Sequence, residues 1–369
     1  MQLLDNLSLQ SQSANEPLQI SLEDIINNLQ IQSNFCIKHP DYKPLEVPEQ
    51  ALSRFQQLPS DLQNKYLKLL LSNFLYGIYY NGSLKRALAL DGETTNLAVN
   101  QNLENNTFLG VDLQFYDRLH DSNSGDGYFS PDWLVVKQEE DGAVAVYRDG
   151  LTLHIERDRH LKPEDQAVTT GMSVAIKMPK NLVQNGFYMA VGDAGIHLEE
   201  ELTRVYFNLT SEGAVAVMNS LTSQLNAISL PFTFKALYNP SDYSRYDSAV
   251  LYFGKSNYPE ARTVLEKVYS EHQSHFRPEV PLFTKILAPG LGTAEEPNQK
   301  FGEKESFGQN RCQIIANGLL AAWHQGDDSP EGRMKSILQQ FDLVSVDLQR
   351  PYLNANSEDI YTPLFTGNS

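Results

Sequence analysis

From Pro231 to Val250 the chain reads PFTFKALYNPSDYSRYDSAV. Lys235 stands between Phe234 and Ala236 in a strand-like alternation, and Arg245 and Asp247 follow two residues apart beyond a polar turn. A lysine in an apolar strand either snorkels to the surface or is held for chemistry. With period two, Thr233, Lys235 and Leu237 face away from Phe232, Phe234, Ala236 and Tyr238, and Leu237 implies a packed stem for Lys235. If the next strand carries Arg245 and Asp247 on one face, that face turns apolar at Ala249 and Leu251, as at the rim or floor of a pocket. Upstream, Thr203 to Leu209 reads as a strand with Arg204, Tyr206 and Asn208 on one side; alone, such a row is equally a solvated face. Downstream, Arg311 falls in the first turn of a helix that Ser306 and Phe307 precede. Backbone N–H groups at a helix start, joined by a guanidinium, favour an anion; the alternative is an arginine facing water.

Other chemistries lack their residues. The eight histidines form no H-E-x-x-H or close metal-type pair; His272 and His275 read as facing water, and His154, on the strand LTLHIE, is a weak general-acid candidate. The G-L-G of LAPGLGTAEEP reads as a loop and is no nucleotide fingerprint, and no nucleophile elbow, Walker or kinase motif occurs. Cys36 and Cys312 give neither metal spacing nor a disulfide framework, which suits a reducing cytosol. The start lacks a signal peptide, and no run reaches the ~18 apolar residues of a membrane span, so a cytoplasmic location is expected. A net charge of -17 argues against nucleic acid or an anionic membrane as partner. Any anion must be caught by a local basic cluster.

The elements that would position these residues follow from periodicity. Residues 1–16 are polar and read as a disordered tail; residues 17–105 read as helical, with helices starting near Ser21 and at Ser60 and the second ending at Asn81-Gly82. Residues 96–106 read as an Asn-rich loop. Three strands joined at Asp141-Gly142 and Asp149-Gly150 open residues 106–355, and more follow in MSVAIKMPK, GFYMAVGDAG, TRVYFN, FTFKALY and DSAVLYF. Gly213 reads as a turn before an amphipathic helix, and further helices close the chain, one presenting Arg333 to solvent. Residues 356–369 read as a second tail. Strands in runs without βα alternation imply an α+β fold: a mostly antiparallel sheet region between N-terminal helices and C-terminal helices packed on it.

RVYFN, FKALYNPSDYSRYDSAVLYF, PLFTKILAPGLGTAEEP and SFGQNRCQIIA together resemble the HopA-type effector family, over roughly residues 110 to 325. Members are similar to the phosphothreonine lyases of enteric pathogens and to the lyase domains of lanthipeptide synthetases. The resemblance implies a phosphothreonine-lyase-like core. It also implies a lyase that eliminates phosphate from phosphoserine or phosphothreonine in a peptide, giving dehydroalanine or dehydrobutyrine. Dehydrated ribosomal-peptide biosynthesis, beside a kinase-like phosphotransferase partner, is the implied setting. Lys235 matches the strand-borne general base, Arg245 the phosphate arginine at the head of the next strand, and Arg311 a second phosphate arginine. The family lyases place a histidine acid after a basic residue and an aromatic; here Arg204, Val205 and Tyr206 put tyrosine in the acid position.

The residue types suit that chemistry. A lysine becomes a base if burial and arginines lower its pKa, as Arg204 and Arg245 would for Lys235. Arg204, Arg245 and Arg311 can clamp a phosphate dianion without metal, with Asn208 and Asp247 orienting them. Tyr206 is a slower acid than histidine. No cofactor is needed. The alternative is a non-catalytic phosphopeptide-binding subunit, or a type III effector acting on host signalling proteins.

Overall fold

The computed structural model describes residues 16–91, 110–197 and 201–365 of the chain. The expected loop at 96–106, and all but the last residue of the expected N-terminal tail, lie outside those residues. The fold is α+β with antiparallel sheets, as the order of elements implies.

Helix α1 (Glu16–Asn28) begins before Ser21, whose hydroxyl donates to the Pro17 carbonyl inside the helix. A three-stranded sheet then intervenes: β1 (Gln30–Ser33), β2 (Cys36–His39) and β3 (Tyr42–Glu46). This sheet corrects the expectation that the N-terminal region is helical throughout; strands of four or five residues carry too few alternations to read. Helices α2 (Glu49–Gln56) and α3 (Ser60–Phe74) follow, and α3 opens at Ser60 as expected. It runs directly into a π-helical turn, Leu75–Tyr80, that stops at Asn81. Such turns are frequent at functional sites.

After α4 (Leu113–Ser122) comes a small sheet of β4 (Tyr128–Gln138), β5 (Val144–Arg148), β6 (Leu151–Ile155) and β7 (Ser173–Met178), with its own core around Trp133. Its two tight turns fall at the expected Asp-Gly pairs, with Gly142, Asp149 and Gly150 at positive φ.

The seven-stranded sheet holds β8 (Asn181–Gln184), β9 (Phe187–Val191), β10 (Leu202–Phe207), β11 (Phe232–Leu237), β12 (Ala249–Gly254), β13 (Lys285–Ala288) and β14 (Leu291–Glu295). Their spatial order is β13-β14-β10-β12-β11-β9-β8. The hairpin β13–β14 occupies the stretch expected as a loop. Gly290 turns it at φ +76, where a Cβ would stand 2.0 Å from the Arg277 carbonyl oxygen, so the glycine is compulsory. Helix α5 (Ser211–Ala227) contains Gly213 in its first turn rather than after a turn, because the Thr210 hydroxyl caps the Gly213 N–H. Helix α6 (Tyr258–His272) lies behind the sheet, linked to it through stacked Tyr269, Phe276 and Phe207.

Helices α7 (Phe307–Gln325) and α8 (Pro330–Leu343) close the fold. Arg333, expected on a solvent face, is buried on α8 and donates to the Ile26 and Leu29 carbonyls at the end of α1. Those carbonyls have no partner within α1, which is why a buried guanidinium is tolerated there. Residues 356–365 are likewise no tail: Tyr361 is buried beside Thr203 and Glu295, and the Leu364 N–H donates to the Leu287 carbonyl. Among the described residues no helix is long and apolar enough to cross a membrane.

Gly318 sets the α7–α8 contact, since an added Cβ would stand 2.6 Å from the Ile337 Cα. Gly318→Ala should therefore lower stability by about 1–3 kcal/mol through overpacking. Urea denaturation measures this, and an unchanged midpoint would mean the helices separate freely.

Candidate functional site

Register explains why distant residues meet. Across β10, β12 and β11 the partners run Tyr206, Val250, Lys235 in one row and Arg204, Tyr252, Thr233 in the next. Strands lie about 4.8 Å apart, so Tyr206 and Lys235 sit about 10 Å apart with only the short Val250 between them. The dip is walled by Arg204, Tyr206, Lys235, Tyr252 and Phe187, with Asp247 at its edge. Tyr76 and Tyr80 of the π turn and Ser306 at the head of α7 roof it. The Tyr80 ring meets Tyr206 edge-on at 6.4 Å, and Gly308 lets α7 approach, because a Cβ there would overlap that ring at 2.3 Å. The cavity is about 10 Å³, room for a single water.

Lys235 is 3% exposed, and its Nζ lies 4.5 Å from the Phe187 ring centre and 5.5 Å from that of Tyr252. Both rings offer their negative faces to the amine. Arg245 and Asp247 are buried too, but not on a strand, since β12 begins only at Ala249. Two residues apart on a strand their side chains would stand side by side, roughly 6.6 Å apart at the backbone. In the turn before β12 they fold onto each other instead. Arg245 Nε donates to Asp247 Oδ1 and Nη2 to Oδ2, each at 2.9 Å. Asn81 Nδ2 and the Tyr76 hydroxyl also reach the Asp247 carboxylate, at 3.2 and 3.3 Å. Burial alone would raise the Asp247 pKa; Arg245, Asn81 and Lys235 outweigh it and hold the carboxyl below its usual range.

Arg204 stacks over Tyr252 at 5.0 Å and gives its Nε and Nη2 to the Glu296 carboxylate, which Lys300 also contacts. Tyr206 is 2% exposed, and among the described residues no partner meets its hydroxyl at good hydrogen-bond geometry, although Tyr80 and Arg204 lie beside it. Burial pushes this phenol well above the usual tyrosine range, more than Arg204 pulls it back. The remaining candidates do not line the cavity. Arg311 is buried on α7 and donates to the Pro351 and Leu353 carbonyls and to Asn310, fastening the C-terminal segment. Asn208 lies beyond the end of β10 and donates to the Glu279 carbonyl. His154 is exposed on β6, beside Glu139. Among the described residues no group of three or more His, Cys, Asp or Glu is placed to hold a metal.

Sequence patterns brought Lys235, Arg204, Tyr206 and Asp247 into view but not Tyr76, Tyr80, Asn81 or Glu296. The three N-terminal residues belong to an ordinary-looking amphipathic helix, and nothing local marks a roof.

The Arg245–Asp247 pair generates a pH signature. In the native chain Asp247 has a depressed pKa, so its stabilisation is present above the unfolded carboxyl pKa and lost as pH falls through the folded one. Arg245→Met leaves the carboxylate buried and undercompensated, which should cost about 3–5 kcal/mol at pH 7. Burial then raises the Asp247 pKa, so the variant should lose less stability at pH 5 than at pH 7, and adding Asp247→Asn should recover much of the loss. Urea midpoints at the two pH values decide; equal losses would show that Asp247 does not depend on Arg245.

The model of the HopA1 effector protein family matches residues 178–353. No curated protein matches the chain. Among solved structures, the effector protein from Pseudomonas syringae pv. tomato strain DC3000 is similar at 16% identity and a TM-score of 0.41, over 66% of this chain and 81% of that one. The effector protein from Pseudomonas syringae pv. syringae strain 61 is similar at 14% identity and a TM-score of 0.44, over 94% of this chain and all (100%) of that one. The matched residues contain the strands β8–β14 that carry Arg204, Tyr206 and Lys235, and over them the chain is similar to the HopA1 effector protein family.

Proposed function

We propose that this protein is a phosphoserine or phosphothreonine lyase that acts on a phosphorylated peptide by β-elimination. The observation that carries the reading is the convergence of a buried lysine amine, an arginine and an unpartnered phenol around one cavity. Lys235 takes the Cα proton. The electron pair of that bond forms the Cα–Cβ double bond, and the Cβ–Oγ bond breaks as phosphate departs with Oγ. Tyr206 protonates the departing phosphate, and the proton gained by Lys235 returns to Tyr206, which resets both groups. The products are a dehydroalanyl or dehydrobutyryl peptide and hydrogen phosphate.

Each role has a physical basis. A lysine serves as base only as the free amine, and Lys235 lies buried against two rings, beside a carboxylate that Arg245 already balances. Arg204 offers the fork that binds a phosphoryl group. Phosphate leaving from its dianionic ester is itself strongly basic, so a phenol that keeps its proton at neutral pH still suffices as donor. In this reading Arg245 acts from behind Asp247, and Arg311 holds the fold rather than the phosphate. Phosphorylated substrate implies a kinase-like partner that supplies it, and the dehydrated product fits ribosomal-peptide biosynthesis.

A second reading is a type III effector that binds phosphorylated host signalling proteins without turning them over. The family match and the tyrosine in the acid position favour it.

Mass spectrometry of a synthetic phosphothreonyl peptide separates the two. Loss of the mass of phosphoric acid marks the lyase, whereas binding with no change in mass marks the second reading. Lys235→Ala should slow elimination by at least about 100-fold while calorimetry still detects peptide binding, and Tyr206→Phe should slow it by a similar factor. A Lys235→Ala variant that works at the native rate would refute the assignment of the base.

A further inference from the structure

Arg204, the guanidinium in the cavity wall, does not wait for a ligand in an open state. Its Nε and Nη2 both converge on one oxygen of Glu296, just beyond the end of β14. That edge of the guanidinium, Nε with Nη2, is one an arginine offers to a phosphate. The other Glu296 oxygen meets Lys300, which lies nearer the surface: the Glu296 side chain is 18% exposed and that of Lys300 28%. The second buried carboxylate of the site, Asp247, is only 6% exposed and has partners on every side. Only Glu296 thus has both a grip on the cavity arginine and a cation to retreat towards.

We propose that Glu296 is an internal counter-ion occupying the phosphate position on Arg204, which a dianionic phosphoryl group displaces and a carboxylate does not. This rests on the phosphate-binding reading of the cavity. Glu296 is ionised at neutral pH: burial opposes its charge, but Arg204 and Lys300 hold its pKa below the usual carboxylate range. A peptide aspartate or glutamate brings the same single charge and competes against a tethered rival whose effective concentration is millimolar or higher. A phosphomonoester brings a charge of about -1.5 to -2 at pH 7 and three acceptor oxygens, enough to win that exchange. Residues 297–305 join Glu296 to Ser306, which roofs the cavity. Release of Glu296 therefore loosens the cavity on the side that must widen from one water to a phosphoryl group.

Calorimetric titration tests this with inorganic phosphate, a phosphothreonyl peptide and the same peptide bearing glutamate in place of phosphothreonine. Glu296→Gln should bind the phosphopeptide about 5- to 30-fold more tightly than the native protein and begin to bind the glutamate peptide. Lys300→Met strips Glu296 of its outer partner, so it should bind the phosphopeptide more weakly. The opposite signs are the signature, because a bridge that merely holds the fold together would weaken binding in both variants. If Glu296→Gln does not fold, Glu296→Asp, whose carboxylate is one methylene further from Arg204, takes its place with the same expected sign. Suppose the native protein binds phosphopeptide, Arg204→Met abolishes this, and Glu296→Gln is no tighter: the counter-ion role is then refuted and the phosphate reading stands. If neither the native protein nor Glu296→Gln binds phosphate or phosphopeptide, both fall.

Discussion

The fork between Arg245 and Asp247 sits where the side chains are each 6% exposed, just before β12, the middle strand of the seven-stranded sheet. Taking two charges out of water costs several kcal/mol for each, and their attraction repays this only when the remaining lone pairs are filled. Here they are filled by the N-terminal part of the chain: Asn81 and Tyr76 reach Asp247, the Tyr246 N–H donates to the Asn81 carbonyl, and the Leu282 N–H donates to the Tyr80 carbonyl. The π turn is thereby tied to the strands beneath it. Floor and roof of the cavity share one carboxylate, and the charge that Lys235 faces is a balanced pair rather than a bare anion.

That economy explains a site that is at once highly charged and closed. Lys235 is sandwiched by rings, Arg204 is covered by Glu296, and the Tyr80, Tyr206 and Phe307 rings stand about 6 Å from one another above the dip. With a net charge of -17 the chain repels anions at long range. In the proposed reading, a cavity whose cations are already paired yields only to a ligand with more charge than its own carboxylates.

The site was legible in sequence only where strand period governs. Alternation placed Arg204 with Tyr206, and Lys235 opposite Phe234, because β10 and β11 are regular and one face of each packs into the core. Where backbone leaves the strand the period misled. Arg245 and Asp247 were expected on a shared face, yet they form a fork in a turn, a geometry no spacing rule encodes. Arg311 and Arg333 have the composition of anion or surface residues but answer orphan carbonyls, since carbonyl positions depend on tertiary packing. The roof was hidden for the same reason: Tyr76, Tyr80 and Asn81 lie more than a hundred residues before the strands they cover, and a π turn has no signature distinct from the helix it extends.

The central claim is that the Cα–H bond of a phosphorylated residue is broken in this cavity. A phosphothreonyl peptide carrying deuterium at Cα tests it most directly, with proton NMR and mass spectrometry of the product. The account predicts dehydrobutyrine from which the deuterium has been lost, formed more slowly than from the unlabelled peptide. Threonine that keeps its deuterium, formed with release of phosphate, would mean hydrolysis instead and would contradict it.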